Sequence, residues 1–337
     1  MISNPDSVIL SISSYELSKN EIEFFKDVKP FGFVLFRRNF ENKKQLIYLI
    51  NSLKQITQNE NLLIFIDQEG GKVQRLNNHE FIKFPPQKVF GDMYKKDFKL
   101  ALDLAYKSSY LMGYQQKSVG IDVDFSPVCD LYFKNANNII GSRSFSHDPA
   151  IVLELSRIFC KGLFDSGIIP VPKHFPGHGR SLEDTHLKKS KIDISFDELY
   201  ETDMVPFKIL DDSLMVMLAH IIYPKIDNHV ATYSKKIISM MRNKFNFEGL
   251  VLSDDISMKA LSGSRIDRVK KSYEAGCNII LYCKGDLKEI KEIYPYIRKI
   301  DNKYFEIFLT KTTKLFQKKK NFTKFKTDLI KYKLIKN

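Results

Sequence analysis

Eight short runs rich in β-branched and aromatic residues recur along the chain, and helical patterns fall between them. The runs cover residues 8–13, 32–36, 62–67, 122–128, 169–175, 215–220, 249–254 and 278–283. Amphipathic stretches at 41–58, 98–118, 150–166, 234–246 and 266–275 carry the 3.6-residue period of helices. Many of the strand runs are apolar on both parities, as a strand buried on both faces must be. Eight βα units favour a closed barrel over an open doubly wound sheet. No Gly-x-Gly-x-x-Gly opens a helix after the first strand, which weighs against a dinucleotide fold. The expected architecture is a single-domain α/β protein, a (β/α)8 TIM barrel over residues 1–300. A basic, helical C-terminal extension is expected over 301–337.

Length and composition agree. A chain of 337 residues with 43% apolar and 28% charged residues is ordinary globular material. Its formal charge of +13 is uneven: residues 311–337 hold ten Lys against one Asp, so +9 of the excess lies in that tail. The remaining 310 residues carry only +4, which disfavours a nucleic-acid-binding body. The start of the sequence lacks a positive n-region, and no apolar run approaches the ~20 residues of a membrane span. Cys129, Cys160, Cys277 and Cys283 show no Cys-x-x-Cys spacing and read as reduced thiols. A cytoplasmic monomer is expected, with no cofactor, no metal, no membrane span and no nucleic-acid partner.

Barrel enzymes carry their active sites at the carboxyl ends of the strands. Here those ends are polar. The third run ends in Asp67-Gln-Glu-Gly-Gly71, the fifth in Lys173-His-Phe-Pro-Gly-His-Gly179, the sixth in His220 and the seventh in Ser253-Asp-Asp255. Any one such end could simply be entering solvent; four converging on one rim point to a site. Asp67 at a strand tip could accept two hydrogen bonds from a sugar diol, or serve the turn before Gly70. Arg75 reads equally as a ligand contact or as a surface charge at the head of a helix. Arg143 lies in a loop long enough to be functional. The loop after the fifth run is dense in histidine, and Pro176, Gly177 and Gly179 suggest bent, mobile backbone. Asp184 stands two residues from His186, close enough for a carboxylate to orient an acid–base imidazole. Asp255 could cap a helix through Ile256 to Ala260. That would leave Asp254 over the barrel mouth, where a carboxylate can attack an anomeric carbon.

These motifs resemble those of the bacterial β-N-acetylglucosaminidases of glycoside hydrolase family 3, the single-domain type used in peptidoglycan recycling. The resemblance spans about residues 8–283. It rests on Ile66-Asp-Gln-Glu-Gly-Gly-Lys-Val-Gln-Arg75, Phe125-Ser-Pro-Val-Cys-Asp130, Lys173-His-Phe-Pro-Gly-His-Gly179 with Asp184-Thr-His186, Ala219-His220, and Ser253-Asp-Asp-Ile-Ser-Met258. It implies Asp254 as nucleophile, His186 as acid/base and Asp184 as its partner. It implies Asp67, Arg75, Arg143, Lys173 and His174 as the residues holding the N-acetylglucosamine ring. The implied reaction is retaining exo-hydrolysis of cytoplasmic muropeptides of the GlcNAc-1,6-anhydro-MurNAc type through a covalent glycosyl-enzyme. The strand-five loop would close to deliver the histidine. Arg180, Thr185 and Lys72 depart from the usual pattern, where Asp or a small polar residue, Ser and Arg are common. None of the three holds an assigned catalytic role.

Three other readings stand beside this one. A phosphorylase of the same fold would use the histidine because it tolerates an anionic acceptor. A metal-dependent hydrolase would use His174, His178, His186 and Asp254, on weak spacing. A basic binding module would act through the tail, where Phe316, Phe322, Phe325, Tyr332 and Leu334 interleave with lysines. That last pattern also suits an amphipathic helix packed on the barrel.

Overall fold

A computed structural model describes residues 4–185, 187–313 and 318–336. Eight strands form one sheet: β1 (Asp6–Leu10), β2 (Pro30–Leu35), β3 (Leu63–Ile66), β4 (Val123–Asp124), β5 (Ile169–Pro170), β6 (Met215–Met217), β7 (Leu250–Asp255) and β8 (Ile279–Leu281). All neighbours pair in parallel, in the order β5-β4-β3-β2-β1-β8-β7-β6. The ring closes beyond the regular strands. Phe175 bridges Leu218 in parallel, and the Phe175 N–H donates to the Met217 carbonyl at 2.9 Å. The expected α/β barrel is therefore the observed fold.

Alternate strand residues face opposite layers, and this explains the double-parity runs. Ile9, Val34, Phe65, Val123, Ile169, Met215, Leu252 and Ile279 meet inside the ring. Val8, Leu10, Phe33, Ile64 and Ile280 pack outward against helices. Val216 and Val251 do the same on the β6–β7 arc. The fourth and fifth runs are expected to be seven residues long, yet their regular pairing covers two each. Pro127, Pro170 and Pro172 have no N–H to give to a ladder, so pairing continues as single bridges such as Val128 with Lys173.

The surrounding helices are α1 (Lys19–Lys26), α2 (Lys43–Ile56), α3 (Lys88–Tyr94), α4 (Phe98–Lys117), α5 (Pro149–Asp165), α6 (Phe196–Glu201), α7 (Lys235–Lys244), α8 (Arg265–Ala275), α9 (Leu287–Ile293), α10 (Asn302–Thr312) and α11 (Phe322–Lys331). Helix α10 plugs the bottom of the barrel. Its Phe305 and Phe308 join the inner cluster, and Phe308 meets Phe31 edge-on at 5.5 Å. Helix α11 lies on α4, with Phe325 edge-on to Tyr110 at 5.5 Å, Phe322 against Tyr114 at 4.9 Å and Leu329 fully buried. The tail is thus a packed helical extension. Its lysines face water; among the described ones only Lys318 pairs with a carboxylate, Asp165, at 2.7 Å. All four cysteines are free thiols. No described helix is long and apolar enough to cross a membrane.

Candidate active site

The rim site begins where β3 runs out. After Ile66 the chain turns into a small hairpin, Gln68–Gly70 against Val73–Gln74. The Gln68 side-chain oxygen accepts from the Arg75 and Leu76 N–H groups at 2.8 and 3.1 Å. The hairpin so folds Arg75 back onto Asp67, with Nη2 3.0 Å from Oδ2. No helix starts there, so the helix-head reading of Arg75 fails.

Asp67 bridges two cations. Its second oxygen, Oδ1, takes Lys173 Nζ at 2.8 Å. The same ammonium reaches Glu69 Oε1 at 2.6 Å, and Glu69 holds Arg143 by a two-point fork at 2.8 Å each. Asp67, Arg75, Arg143 and Lys173, expected at one site, are therefore in one network. Its hub, Glu69, was not singled out from the sequence. Its position two residues after Asp67 was the available signal, since i and i+2 share a face of extended chain. Burial alone would raise the Asp67 and Glu69 carboxyls. The Lys173 charge on Asp67 and the Arg143 charge on Glu69 outweigh it and hold both below the usual carboxylate range. Burial would likewise depress Lys173 and Arg143, but their carboxylates keep both firmly protonated.

His174 joins the site through Asp130. Its Nδ1 lies 2.7 Å from Asp130 Oδ2, and its N–H donates to Oδ1 at 3.2 Å. Burial opposes the Asp130 charge, but His174 and His178 hold its pKa low. Nδ1 of His174 is then the donor, and Nε2 is the ring nitrogen not committed to Asp130. Asp130 also accepts from the His178 N–H at 2.6 Å. Sequence reasoning recorded Asp130 only as the end of a motif and missed its part in orienting two histidines.

At the end of β7 the two aspartates diverge. Asp255 turns into its own loop, accepting from Ser257 N at 2.9 Å, Ser257 Oγ at 2.5 Å and Cys283 N at 3.1 Å. It caps a turn rather than a helix; the next helix, α8, starts at Arg265 under a Ser264 cap. Asp254 is half-buried, with Oδ1 accepting from the Asp255 N–H at 2.8 Å. His220 is wholly buried and supports this end, with Nε2 3.0 Å from the Asp255 carbonyl and Nδ1 2.7 Å from Thr232 Oγ1. The Cys283 thiol is pushed well up by burial first, then by Asp255, Asp67 and Asp254, so the tips of β3 and β7 lie within electrostatic reach of one thiol.

The loop after β5 is bent but well packed in its first half. A Cβ on Gly179 would fall 1.9 Å from the Leu131 carbonyl, and Gly177 has φ +142° beside Asp203. The Tyr223 hydroxyl donates to the Gly177 carbonyl at 2.5 Å. These glycines serve close approach of backbone. Arg180, the departure from the usual pattern, ties the loop to Asp203 at 2.8 Å and Glu198 at 3.1 Å and lies over the Phe133 ring. Asp184 is half-buried, and its carbonyl accepts from the Leu187 and Lys188 N–H groups at 2.9 Å. His186 lies outside the described residues. Among those described, no group of three or more His, Cys, Asp or Glu side chains is arranged to hold a metal ion.

Buried charge in this barrel concentrates at the carboxyl ends of the strands, the face at which barrel enzymes do their chemistry, and the molecule is a barrel enzyme. Residues 8–307 match the Glycosyl hydrolase family 3 N terminal domain. A beta-hexosaminidase of Xylella fastidiosa (strain 9a5c) is 37% identical over 287 residues, 83% of this chain and 84% of its own. A beta-hexosaminidase of Bordetella pertussis is 33% identical over 290 residues, 85% and 82% of the two chains. The crystal structure of NagZ from Neisseria gonorrhoeae in complex with N-trifluoroacetyl-D-glucosamine superposes with a TM-score of 0.87 at 30% identity, covering 97% of each chain. The chain belongs to glycosyl hydrolase family 3 and is a glycoside hydrolase. The family match ends at residue 307, so the Lys-rich segment after Lys311 lies outside it, as expected.

Proposed function

We propose that the protein is a retaining exo-β-N-acetylglucosaminidase that removes terminal β-linked N-acetylglucosamine from muropeptides of the GlcNAc-1,6-anhydro-MurNAc type. The observation that carries this reading is the similarity, along most of both chains, to enzymes named beta-hexosaminidase. The N-acylglucosamine held by the structurally similar Neisseria protein supports the same sugar. Four free thiols fit a reducing compartment such as the cytoplasm.

Asp67, with one oxygen on Lys173 and the other on Arg75, has a lone pair left on each oxygen to accept sugar hydroxyls. Lys173, Arg75 and Arg143 supply donors around it, and the Nε2 edge of His174 offers an acceptor. An oxygen of Asp254 bonds to the anomeric carbon as the bond to the aglycone oxygen breaks. His186, oriented by Asp184, gives its proton to that departing oxygen. Water then attacks the same carbon, His186 takes its proton, and Asp254 leaves. Two inversions give net retention.

Asp254→Ala is expected to lose nearly all turnover of an aryl β-N-acetylglucosaminide while still binding N-acetylglucosamine. Full hydrolysis by that variant would remove Asp254 from its role. Product analysis of the wild type with and without phosphate separates hydrolysis, which yields free sugar in both, from phosphorolysis, which yields sugar 1-phosphate.

A further inference from the structure

We propose that Thr185 and His178 form a latch that holds the chain at Thr185, next to Asp184, against the loop following the nucleophile strand. The inference rests on the assignment of proton transfer to Asp184 and His186. Thr185 stands between those two in the chain and is itself almost fully buried.

Thr185 is held from two sides. Its hydroxyl lies 3.0 Å from His178 Nε2, and its carbonyl accepts from the Ala260 N–H at 3.2 Å. His178 is fixed in turn by Asp130 through its backbone N–H. Ala260 follows the tight turn in which Asp255 accepts from Ser257 and Cys283. A continuous path of hydrogen bonds thus runs from the loop after β7, through Thr185 and His178, to Asp130 and His174.

His178 fits a fixed strut. It is buried, and its Nδ1 has no hydrogen-bond partner among the described residues. Its one side-chain hydrogen bond there is to Thr185. Thr in place of the usual Ser adds a methyl that stiffens χ1 and holds the hydroxyl in place. Proton transfer demands hydrogen-bond distance, and a displacement of ~1 Å can cost on the order of a hundredfold. Thr185 and His178 are positioning residues, acting through the backbone between Asp184 and His186.

A general acid matters most when the leaving group is poor. The test is kcat/KM for Thr185→Val, Thr185→Ser and His186→Ala over a series from 2,4-dinitrophenyl to alkyl β-N-acetylglucosaminides. Thr185→Val is expected to lose between about ten- and a hundredfold on the alkyl substrate but at most a few-fold on the dinitrophenyl one. Thr185→Ser keeps the hydroxyl and is expected to restore wild-type slope. His178→Gln, read in the same series, covers the case in which Thr185→Val does not fold. An equal loss across the series, or none, overturns the latch if His186→Ala shows the steep dependence. A flat profile for His186→Ala overturns the acid/base assignment, and the latch with it.

Discussion

Glu69 exposes 1% of its side chain and touches two cations, so the rim network is built around a carboxylate that solvent barely reaches. Such a group was hard to read from sequence. Asp67 and Lys173 announce themselves at the ends of apolar runs, whereas Glu69 and Asp130 matter through partners 74 and 44 residues away. A buried ion network is costly to break on one side, because the remaining charges stay buried without compensation. His178 shows the opposite behaviour. Burial, first, and the neighbouring His174 lower its pKa from 6.5 to about 4. Below pH ~6.5 the unfolded chain takes up a proton that the folded His178 refuses until about pH 4. Stability is therefore lost as pH falls through that window, by up to about 3 kcal/mol. Urea unfolding from pH 7 to 4.5 is expected to show a steeper loss for wild type than for His178→Asn. Parallel curves would contradict it.

Among the elements, helices were the most legible. The amphipathic stretch expected over 98–118 is α4 at Phe98–Lys117, and that over 266–275 is α8 at Arg265–Ala275. Their 3.6-residue pattern is local and survives tertiary packing. The capping box that starts α1, Ser18 with Glu21, was available in the sequence but unread. The hairpin after β3 is too short to show a strand period, and the pairing of Ser190–Lys191 with Ile221–Tyr223 joins segments about thirty residues apart, so neither was legible. At the tail, the interleaved aromatic residues proved more informative than the lysines. Leu329 is fully buried under α11, beside Phe325 on Tyr110. Leu329→Ala is expected to cost about 2–5 kcal/mol in urea unfolding, while Lys324→Ala, on the exposed face, stays within ~0.5 kcal/mol. A Leu329→Ala cost below ~1 kcal/mol would mean that α11 is not part of the folding unit.

For the whole molecule, the eight-run pattern sufficed for a barrel because a closed ring asks the same thing of every strand: apolar on both faces, polar at the tip. The net charge of +13 carried little about function, since most of it sits on a helical tail whose apolar side covers α4. Polar strand ends carried more. They gathered at one rim and enclosed a charged network suited to a polyhydroxylated ring. The central claim is that Asp254 becomes covalently glycosylated during turnover. It is tested most directly by incubating the protein with a 5-fluoro N-acetylglucosaminyl trap and locating the label by peptide mapping. One sugar per chain is expected, attached to Asp254. A label on another residue, or release of inverted sugar with no labelled enzyme, would contradict it.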